Sequence, residues 1–327
     1  MKIALTGTEY FWGNKMLMAL IQDQSIETIL CLDIKEPKLL SQTQQNETIS
    51  QKVSFAPMTY KRPFHYLWAN ALEKIKPDVL LLCPFSVEYC YQDNYQAHLT
   101  GAENSLRVLR KALEIKIPRI IVLSSCLAYG AHWSNPVYIK EDQLLLGDRK
   151  YQHIRGIIEI ENACHSAIAT NPQFSSIAIL RHALTLGPTI DNTLTRFLRK
   201  PVLPVYLGFD PVIQLIHEND VVKAMMHAIH THEATGAFNI GTETYLSLRE
   251  MYDMLGKIKI PILHPLVNLS ADILWRLQLT QFSPAFMEML KYRVVMDTNR
   301  SKTILGFHPT YSIIDTLLDF KSKIKEK

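Results

Sequence analysis

Cysteine is scarce in this sequence, and the few cysteines follow no pattern that binds a metal or builds a disulfide framework. Cys31, Cys83, Cys90, Cys126 and Cys164 are odd in number and show neither C-x-x-C nor mixed cysteine and histidine spacing. We therefore expect no metal site and no disulfide framework. Reduced thiols in a cytoplasmic protein are the simplest account of this usage.

The sequence also lacks a long apolar run, a signal-peptide pattern and a large net charge. No apolar stretch reaches the length of about 20 residues that crosses a membrane, and no charged segment with an apolar run and a cleavage site is present. The formal net charge is +4, and the basic residues are spread along the chain apart from the short segment Lys321–Lys327. Neither a membrane nor a nucleic acid is therefore expected as a partner.

What the sequence does contain is a globular composition and, in its first 33 residues, a strand, turn, helix and second strand that ends in an acid. Lys2 to Leu5 is a short apolar strand, Thr6 to Gly13 is a turn with glycines, and Asn14 to Ile21 has helical apolar spacing. A second strand, Ile26 to Leu32, ends at Asp33, twenty residues after the turn. A glycine turn, a helix N-terminus and an acid at the next strand end are what a dinucleotide requires.

Strands and helices continue to alternate through residue 125. Val79–Cys83 and Ile120–Leu123 are all-apolar runs, typical of strands buried on both faces of a parallel sheet, and helices are predicted at about 65–75 and 94–115. The alternation predicts an α/β fold with a doubly wound parallel sheet and a ligand cleft at the carboxyl ends of the strands. The loops Cys83–Phe85 and Ser124–Cys126 follow two of these strands and therefore face one cleft.

Several motifs resemble the extended short-chain dehydrogenase/reductase family, in its NAD-dependent epimerase/dehydratase group. Thr6, Gly7 and Gly13 match T-G-x-x-G-x-x-G, Ser124–Gly130 matches S-S-x-x-x-Y-G, and Asp297–Phe307 resembles the closing D-x-x-k-a-x-x-x-L-G-f motif. The resemblance covers nearly the whole chain. It implies a Rossmann-type domain over residues 1–180, to which segments at about 210–245 return, and a smaller, discontinuous C-terminal substrate lobe, mainly residues 181–327.

The resemblance also implies a dinucleotide cofactor and its contacts. Asp33 favours NAD over NADP because an acid repels a 2′-phosphate, although Lys35 nearby leaves NADP open. Tyr10 replaces the middle glycine of the turn, so its side chain swings away, reshapes the dinucleotide pose or blocks it. The implied cofactor-binding residues are Thr6, Gly7, Tyr10, Phe11, Trp12, Gly13, Asp33, Ile34, Cys83, Pro84, Tyr151 and Arg155.

The implied catalytic residues are Ser125, Tyr151 and Arg155. Tyr151 and Arg155 stand at the Y-x-x-x-K positions, with Glu159 four residues later as the family's helix usually has it. Positions i and i+4 share one helix face, so a tyrosine hydroxyl and a cation converge there. Taken singly, Ser125 also suits a turn cap, Tyr151 a partly buried helix start, and Arg155 a surface partner of Glu159.

The function that the resemblance implies is NAD(P)-dependent oxidation–reduction, epimerisation or dehydration at a hydroxyl or keto group. The substrate would be nucleotide-sugar-like or another small molecule, contacted by Trp133, Leu184 and residues between Pro188 and Leu207. A scaffold or regulatory protein that has lost chemistry is the main alternative, and a sterol- or lipid-directed dehydrogenase is a third. By resemblance only, a homodimer through the helices at 94–115 and 151–168 is expected.

Overall fold

A computed structural model of the chain describes residues 1–37, 39–40, 51–58, 66–85, 95–170, 176–263, 273, 275–277, 280 and 282–325. The described strands are β1 (Lys2–Thr6), β2 (Thr28–Asp33), β3 (Val53–Pro57), β4 (Val79–Leu82), β5 (Arg119–Ser125), β6 (Ser176–His182), β7 (Leu184–Leu186), β8 (Val202–Tyr206), β9 (Val212–Ile213), β10 (Leu215–His217), β11 (Gly236–Ile240), β12 (Leu246–Ser247) and β13 (Ile258–Ile262). The helices are α1 (Phe11–Gln22), α2 (Leu67–Ile75), α3 (Tyr95–Glu114), α4 (Gln152–Thr170), α5 (Thr193–Leu198), α6 (Glu218–His230), α7 (Leu248–Leu255), α8 (Pro284–Met289), α9 (Asn299–Leu305) and α10 (Ile313–Lys325).

Within the described part of the chain, seven strands form one parallel sheet in the order β11-β6-β5-β4-β1-β2-β3. The strand order reverses between β1 and β4, which is the point where such sheets open a ligand crevice at their carboxyl ends. The prediction of a doubly wound Rossmann-type sheet is confirmed. The predicted helices at about 65–75 and 94–115 correspond to α2 and α3, although positions 65 and 94 lie outside the described residues.

Apolar residues cover both faces of this sheet. One core combines the sheet with α1 and α6, and Met16, Leu17, Met225 and Ile229 from these helices belong to one buried cluster. The opposite core combines it with α2, α3 and α4, including Trp68. Because both faces are buried, β4 and β5 carry continuous apolar runs rather than an alternating pattern, as the sequence predicted.

The C-terminal residues form a further apolar cluster from α5, α7, α8 and α10 with β8. Small two-stranded pairings of β7 with β10, β9 with β12, and β8 with β13 accompany it. β11 returns to the edge of the main sheet beside β6. The division into domains at residue 180 stays a prediction.

Four of the cysteines, Cys31, Cys83, Cys126 and Cys164, are buried and form no disulfide, and Cys90 lies outside the described residues. In the described ranges, no cluster of three or more histidine, cysteine or acidic side chains has the arrangement to hold a metal ion. Nor is any helix there both long enough and apolar enough to span a bilayer.

A buried guanidinium joins β6 to α4 and to the turn after β5. Arg181 donates hydrogen bonds to Glu161 Oε2 at 2.6 and 2.9 Å, to the Tyr129 hydroxyl at 2.7 Å and to the Glu141 carbonyl at 2.9 Å. Glu161 is wholly buried and also accepts a hydrogen bond from Ser124. These contacts set the rotation of α4 about its own axis relative to the ends of β5 and β6.

Replacing Glu161 by glutamine should lower the unfolding free energy by about 3–5 kcal/mol, because it leaves the Arg181 charge buried without its partner. Denaturant unfolding followed by circular dichroism measures this loss. Glu159→Gln is a matched control on the same helix, since its partner Arg155 is 54% exposed and the loss should stay below about 1 kcal/mol. Equal losses in the two variants would contradict the structural role of Glu161.

Candidate active site

The turn after β1 packs tightly against the loop after β4. Gly7 has a φ of +69°, and a Cβ there would lie 2.5 Å from the Pro84 carbonyl oxygen. Gly13 packs on the backbone of Gly7 with no room for a side chain. Thr6 Oγ1 donates a hydrogen bond to the Cys83 carbonyl at 2.8 Å. The two glycines are thus required by close approach and, at Gly7, by the left-handed backbone.

α1 begins at this turn with its first peptide N–H groups unsatisfied by a cap. Tyr10 is the N-cap residue, its side chain makes no capping hydrogen bond, and the first helical turn has no acidic residue. The rings of Phe11 and Trp12 meet edge to face at 4.9 Å beside it. N–H groups at the positive end of a helix dipole are suited to an anion such as a pyrophosphate.

Asp33 lies at the end of β2, where the sequence predicts it, and is fully buried. Its carboxylate accepts hydrogen bonds from the backbone N–H groups of Glu9 at 2.8 Å and Ile34 at 2.7 Å. Burial raises the pKa of Asp33 to about 6, although both bonds act in the opposite direction. Lys35 forms an ion pair with Glu9 at 2.8 Å, so its charge is balanced close to the turn.

Tyr10 turns toward the sheet and packs against the apolar cluster shared by α2 and α3. Burial, followed by the charges of Asp33 and Glu9, raises the pKa of Tyr10 to about 12. The side chain therefore lies near Asp33, the predicted ribose-binding acid. The effect of Tyr10 on the dinucleotide pose stays a prediction.

A cavity of about 160 Å³ lies where β4, β5 and β6 end. Residues from α1, α3, α4, α5 and the segment around α8 complete its walls. The lining residues are Trp12, Pro84, His98, Leu123, Ser124, Ser125, Leu127, His153, Ile154, Ile157, His182, Ala183, Leu184, Thr185, Asn192, Thr193, Leu194, Ser283 and Phe286. These described walls contain imidazole, hydroxyl and amide groups but no carboxylate, ammonium or guanidinium group.

Ser125 ends β5 and lines the cavity as predicted. Its Oγ accepts a hydrogen bond from the Leu127 N–H at 3.3 Å, so the residue also caps the short turn Cys126–Ala128. The neighbouring Ser124 donates to Glu161 instead. A hydroxyl at the end of a central strand, held by a turn, is positioned to meet a ligand oxygen in the cavity.

Tyr151 and Arg155 are not among the residues that line this cavity. Tyr151 belongs to a small apolar cluster with Ala128, Ile154 and Ile158, and Lys150 Nζ lies 5.0 Å from its ring centroid. Arg155 is an exposed residue that donates to Glu159 at 2.7 Å. The cofactor and catalytic roles of these two residues stay predictions.

The rotation of α4 brings a different pair to the cavity. The family pattern has a glutamate four residues after the cation, and of the two glutamates in α4, 159 and 161, only Glu161 is buried. Ile157 and His153 stand four and eight residues before Glu161. Both line the cavity, so the structure presents an imidazole and an alkyl group where the sequence pattern, aligned on Glu159, predicted a tyrosine and a cation.

Three histidines, His98, His153 and His182, line the cavity. The sequence motifs did not assign them to the site. The rings of His98 and His153 lie 5.6 Å apart. Burial, and then the charge of His98, lowers the pKa of His153 to about 3, and burial lowers the pKa of His182 to about 4 against the hydrogen bond to Ala183. His153 and His182 are therefore neutral at physiological pH.

Sequence signals existed for two of these side chains. His182 directly follows the L-R pair and is the last residue of β6, and residues at the carboxyl ends of strands face the crevice. His153 stands eight residues before Glu161. This spacing becomes a signal only when Glu161, rather than Glu159, is identified as the buried glutamate. Among the predicted substrate contacts, Leu184 and the segment Asn192–Leu194 line the cavity, whereas Trp133 is 84% exposed and does not.

A model of the family described as NAD dependent epimerase/dehydratase matches residues 3–241 of this sequence. The chain belongs to that family. The predicted resemblance is thereby confirmed, and NAD, the predicted cofactor, is the cofactor that the family description states. An uncharacterized protein of Mycobacterium tuberculosis is 29% identical over 227 residues, a match that covers 69% of this chain and 59% of the relative.

Solved structures with the same fold cover the entire chain. UDP-glucuronic acid 4-epimerase from Bacillus cereus, in complex with NAD, is 19% identical with a TM-score of 0.68, covering 100% of this chain and 99% of that one. UDP-glucose 4-epimerase from Thermotoga maritima, with UDP-glucose, is 14% identical with a TM-score of 0.69 and the same coverage. At these identities the likeness establishes the fold.

The neutral histidines make stability depend on pH. An unfolded histidine has a pKa of about 6.5 and takes up a proton between about pH 7 and pH 5, whereas the folded rings of His153 and His182 do not. The unfolding free energy should therefore fall as the pH falls, by about 2 kcal/mol for each ring over that interval.

Denaturant unfolding at several pH values measures this dependence. In His182→Gln the decline should be shallower than in the wild type, by the contribution of one ring, since glutamine does not titrate. Parallel curves for the two proteins would show that His182 is protonated in the folded state over the same range.

Proposed function

We propose that this chain is an NAD-dependent oxidoreductase, epimerase or dehydratase that acts on a hydroxyl or keto group of a nucleotide-sugar-like or other small substrate. The observation that carries the proposal is the cavity at the carboxyl ends of β4 to β6, with Ser125 in its wall and an uncapped helix N-terminus beside it. Family membership supports the reaction class. The fold alone does not choose a substrate.

The residues of the first βαβ unit fit a dinucleotide. The uncapped N–H groups of α1 would hold the pyrophosphate, Gly7 and Gly13 keep the turn before this helix compact, and Asp33 would accept hydrogen bonds from the adenosine ribose. Bound NAD supplies the acceptor and donor of the hydride. The buried carboxylate of Asp33 and the adjacent Glu9 favour NAD over NADP, because both would repel a 2′-phosphate.

Within the cavity, Ser125 is proposed to hydrogen-bond the reacting oxygen of the substrate. Its hydroxyl lies at a strand end, is held by the turn that it caps, and lines the cavity. Leu184 and Asn192–Leu194 are proposed to contact the rest of the substrate. Tyr151 is proposed from the sequence as the acid/base, with Arg155 as its cation, and the variant Tyr151→Phe tests that assignment apart from cofactor binding.

The first experiment is a calorimetric titration of the purified protein with NAD, NADH, NADP and NADPH, followed by a screen for reduction of NAD by nucleotide sugars. Ser125→Ala should lower the rate of hydride transfer by about 100- to 1,000-fold, the effect of removing one donor to a developing oxyanion, while NAD affinity stays within about threefold. Absence of NAD and NADH binding by the wild type would refute the proposed function.

NAD affinity should depend on pH through Asp33. Because burial raises the pKa of Asp33 to about 6, only about a tenth of the carboxyl is ionised near pH 5, and the affinity should rise by about tenfold toward pH 7 and above. Titrations with NAD over this range measure the change. Asp33→Asn is the control, since an amide does not titrate and should give weaker binding without this rise.

Tyr10→Gly tests whether the side chain restricts the cofactor site. Tyr10 packs close to Asp33, so its removal should expose the carboxylate and strengthen NAD binding by several-fold, about 1 kcal/mol. Binding only by the glycine variant would mean that Tyr10 closes the site, and the catalytically impaired scaffold would then be the better description of the protein. A weaker affinity in Tyr10→Gly would show instead that the ring contacts the cofactor.

A cytoplasmic location and a homodimer through α3 and α4 complete the proposal by resemblance to the family. Multi-angle light scattering of the purified protein measures its mass in solution. A monomeric mass at micromolar concentration would refute the dimer without affecting the proposed chemistry.

A further inference from the structure

The ends of β5 and β6 bring a hydroxyl and an imidazole together. Ser125 and His182 are partners in the parallel register of these two strands, and neighbouring strands lie about 4.8 Å apart with paired residues on one face. Both residues line the cavity. Trp12 packs on the imidazole, with ring centroids 5.3 Å apart, and limits its rotation.

Hydrogen bonds determine which nitrogen of His182 carries the proton. Nδ1 lies 2.9 Å from the Ala183 carbonyl oxygen, and since a carbonyl only accepts, Nδ1 must donate. Thr185 Oγ1, 3.0 Å from the same nitrogen, donates its own proton to the Ala183 carbonyl and accepts on its lone pair. A neutral ring therefore has no proton on Nε2, which is left as a hydrogen-bond acceptor.

The surroundings of His182 keep the ring neutral. Burial lowers its pKa to about 4, and the described walls of the cavity hold no carboxylate to stabilise an imidazolium. They hold no ammonium or guanidinium group either. A ligand in this part of the cavity is therefore recognised through uncharged groups, and one that donates to Nε2 must carry a hydroxyl or an N–H.

We propose that His182 and Ser125 form a hydroxyl-binding subsite, in which Nε2 of His182 accepts a hydrogen bond from a hydroxyl of an uncharged polyhydroxyl group such as a sugar ring. This inference rests on the proposed function, because it names the chemical class of the group held beside the reacting carbon. His182 thereby contributes to specificity: compounds that lack the hydroxyl leave Nε2 buried without a donor, which disfavours their binding.

The first test needs no substrate. Long-range proton–nitrogen spectra of the ¹⁵N-labelled wild type report the protonation of each histidine nitrogen, and His182→Gln assigns the signals by their loss. The expected result is a protonated Nδ1 and a bare Nε2 from about pH 6 to pH 8. A protonated Nε2 in this range would overturn the proposal. If His182→Gln does not fold, Thr185→Val assigns the ring by perturbing its Nδ1 signal.

The second test adds ligands. UDP-glucose, UDP-glucuronic acid and free glucose, each with and without NAD, should shift the Nε2 signal of His182, whereas the corresponding deoxy sugar lacking the bound hydroxyl should not. His182→Gln should weaken binding of the responding compound by about 10- to 100-fold and leave NAD affinity within about threefold. Failure of every hydroxyl compound to shift the signal would overturn the subsite.

His227→Gln is the matched control. His227 is a half-buried histidine whose Nδ1 faces the Leu305 carbonyl at 3.2 Å and whose ring meets Phe307, outside the cavity. It should bind NAD and the responding sugar as the wild type does. The NAD titration separates the two proposals: a wild type that binds no NAD but whose His182 responds to a sugar refutes the proposed function and supports the subsite.

Discussion

The arrangement of this site depends on the buried guanidinium of Arg181. Its hydrogen bonds to Glu161, Tyr129 and the Glu141 carbonyl connect β6 with α4, with the turn after β5 and with the loop beyond it. The Tyr129 hydroxyl continues this network by donating to Asn239 in β11 at 2.7 Å. A buried charge without its partners is costly, so these elements keep one relative position and the strand ends that form the cavity are held together.

The network also decides which face of α4 meets the cavity. Once Glu161 is directed inward, the 3.6-residue period of the helix places Ile157 and His153 on the same side and turns Arg155 and Glu159 outward. The cavity wall therefore presents an imidazole from α4 and another from β6, together with Ser125. Because the described residues of this wall include no charged side chain, hydrogen bonding rather than charge is its means of recognition. For the anionic part of a dinucleotide, the proposed binding group is the uncapped N-terminus of α1.

Much of the fold was predictable from the sequence, because its signals are local. Val79–Leu82 and Arg119–Ser125 are central strands. The uninterrupted apolar runs Val79–Leu82 and Ile120–Leu123 within them indicate burial on both faces of the sheet. The glycines of the first turn, the helix that follows and Asp33 are close in sequence, so spacing alone indicated a dinucleotide unit. The position of Ser125 at a strand end was predictable in the same way. The orientation of Tyr151 was not predictable. The family pattern can be aligned on either Glu159 or Glu161 of α4, and only the burial of Glu161 distinguishes the two alignments.

The alternation of strands and helices through residue 125, the βαβ opening and the cleft at the carboxyl ends of the strands are readable from the amino-acid sequence, since apolar period, glycine spacing and chain direction are properties of neighbouring residues. The face of α4 that lines the cavity and the hydrogen-bond partners of the His182 ring follow from the folded chain alone. The same holds for the packing of Tyr10 close to Asp33. These features depend on burial and on hydrogen bonds between residues far apart in the chain, such as Arg181 with Glu141, and no local pattern encodes them.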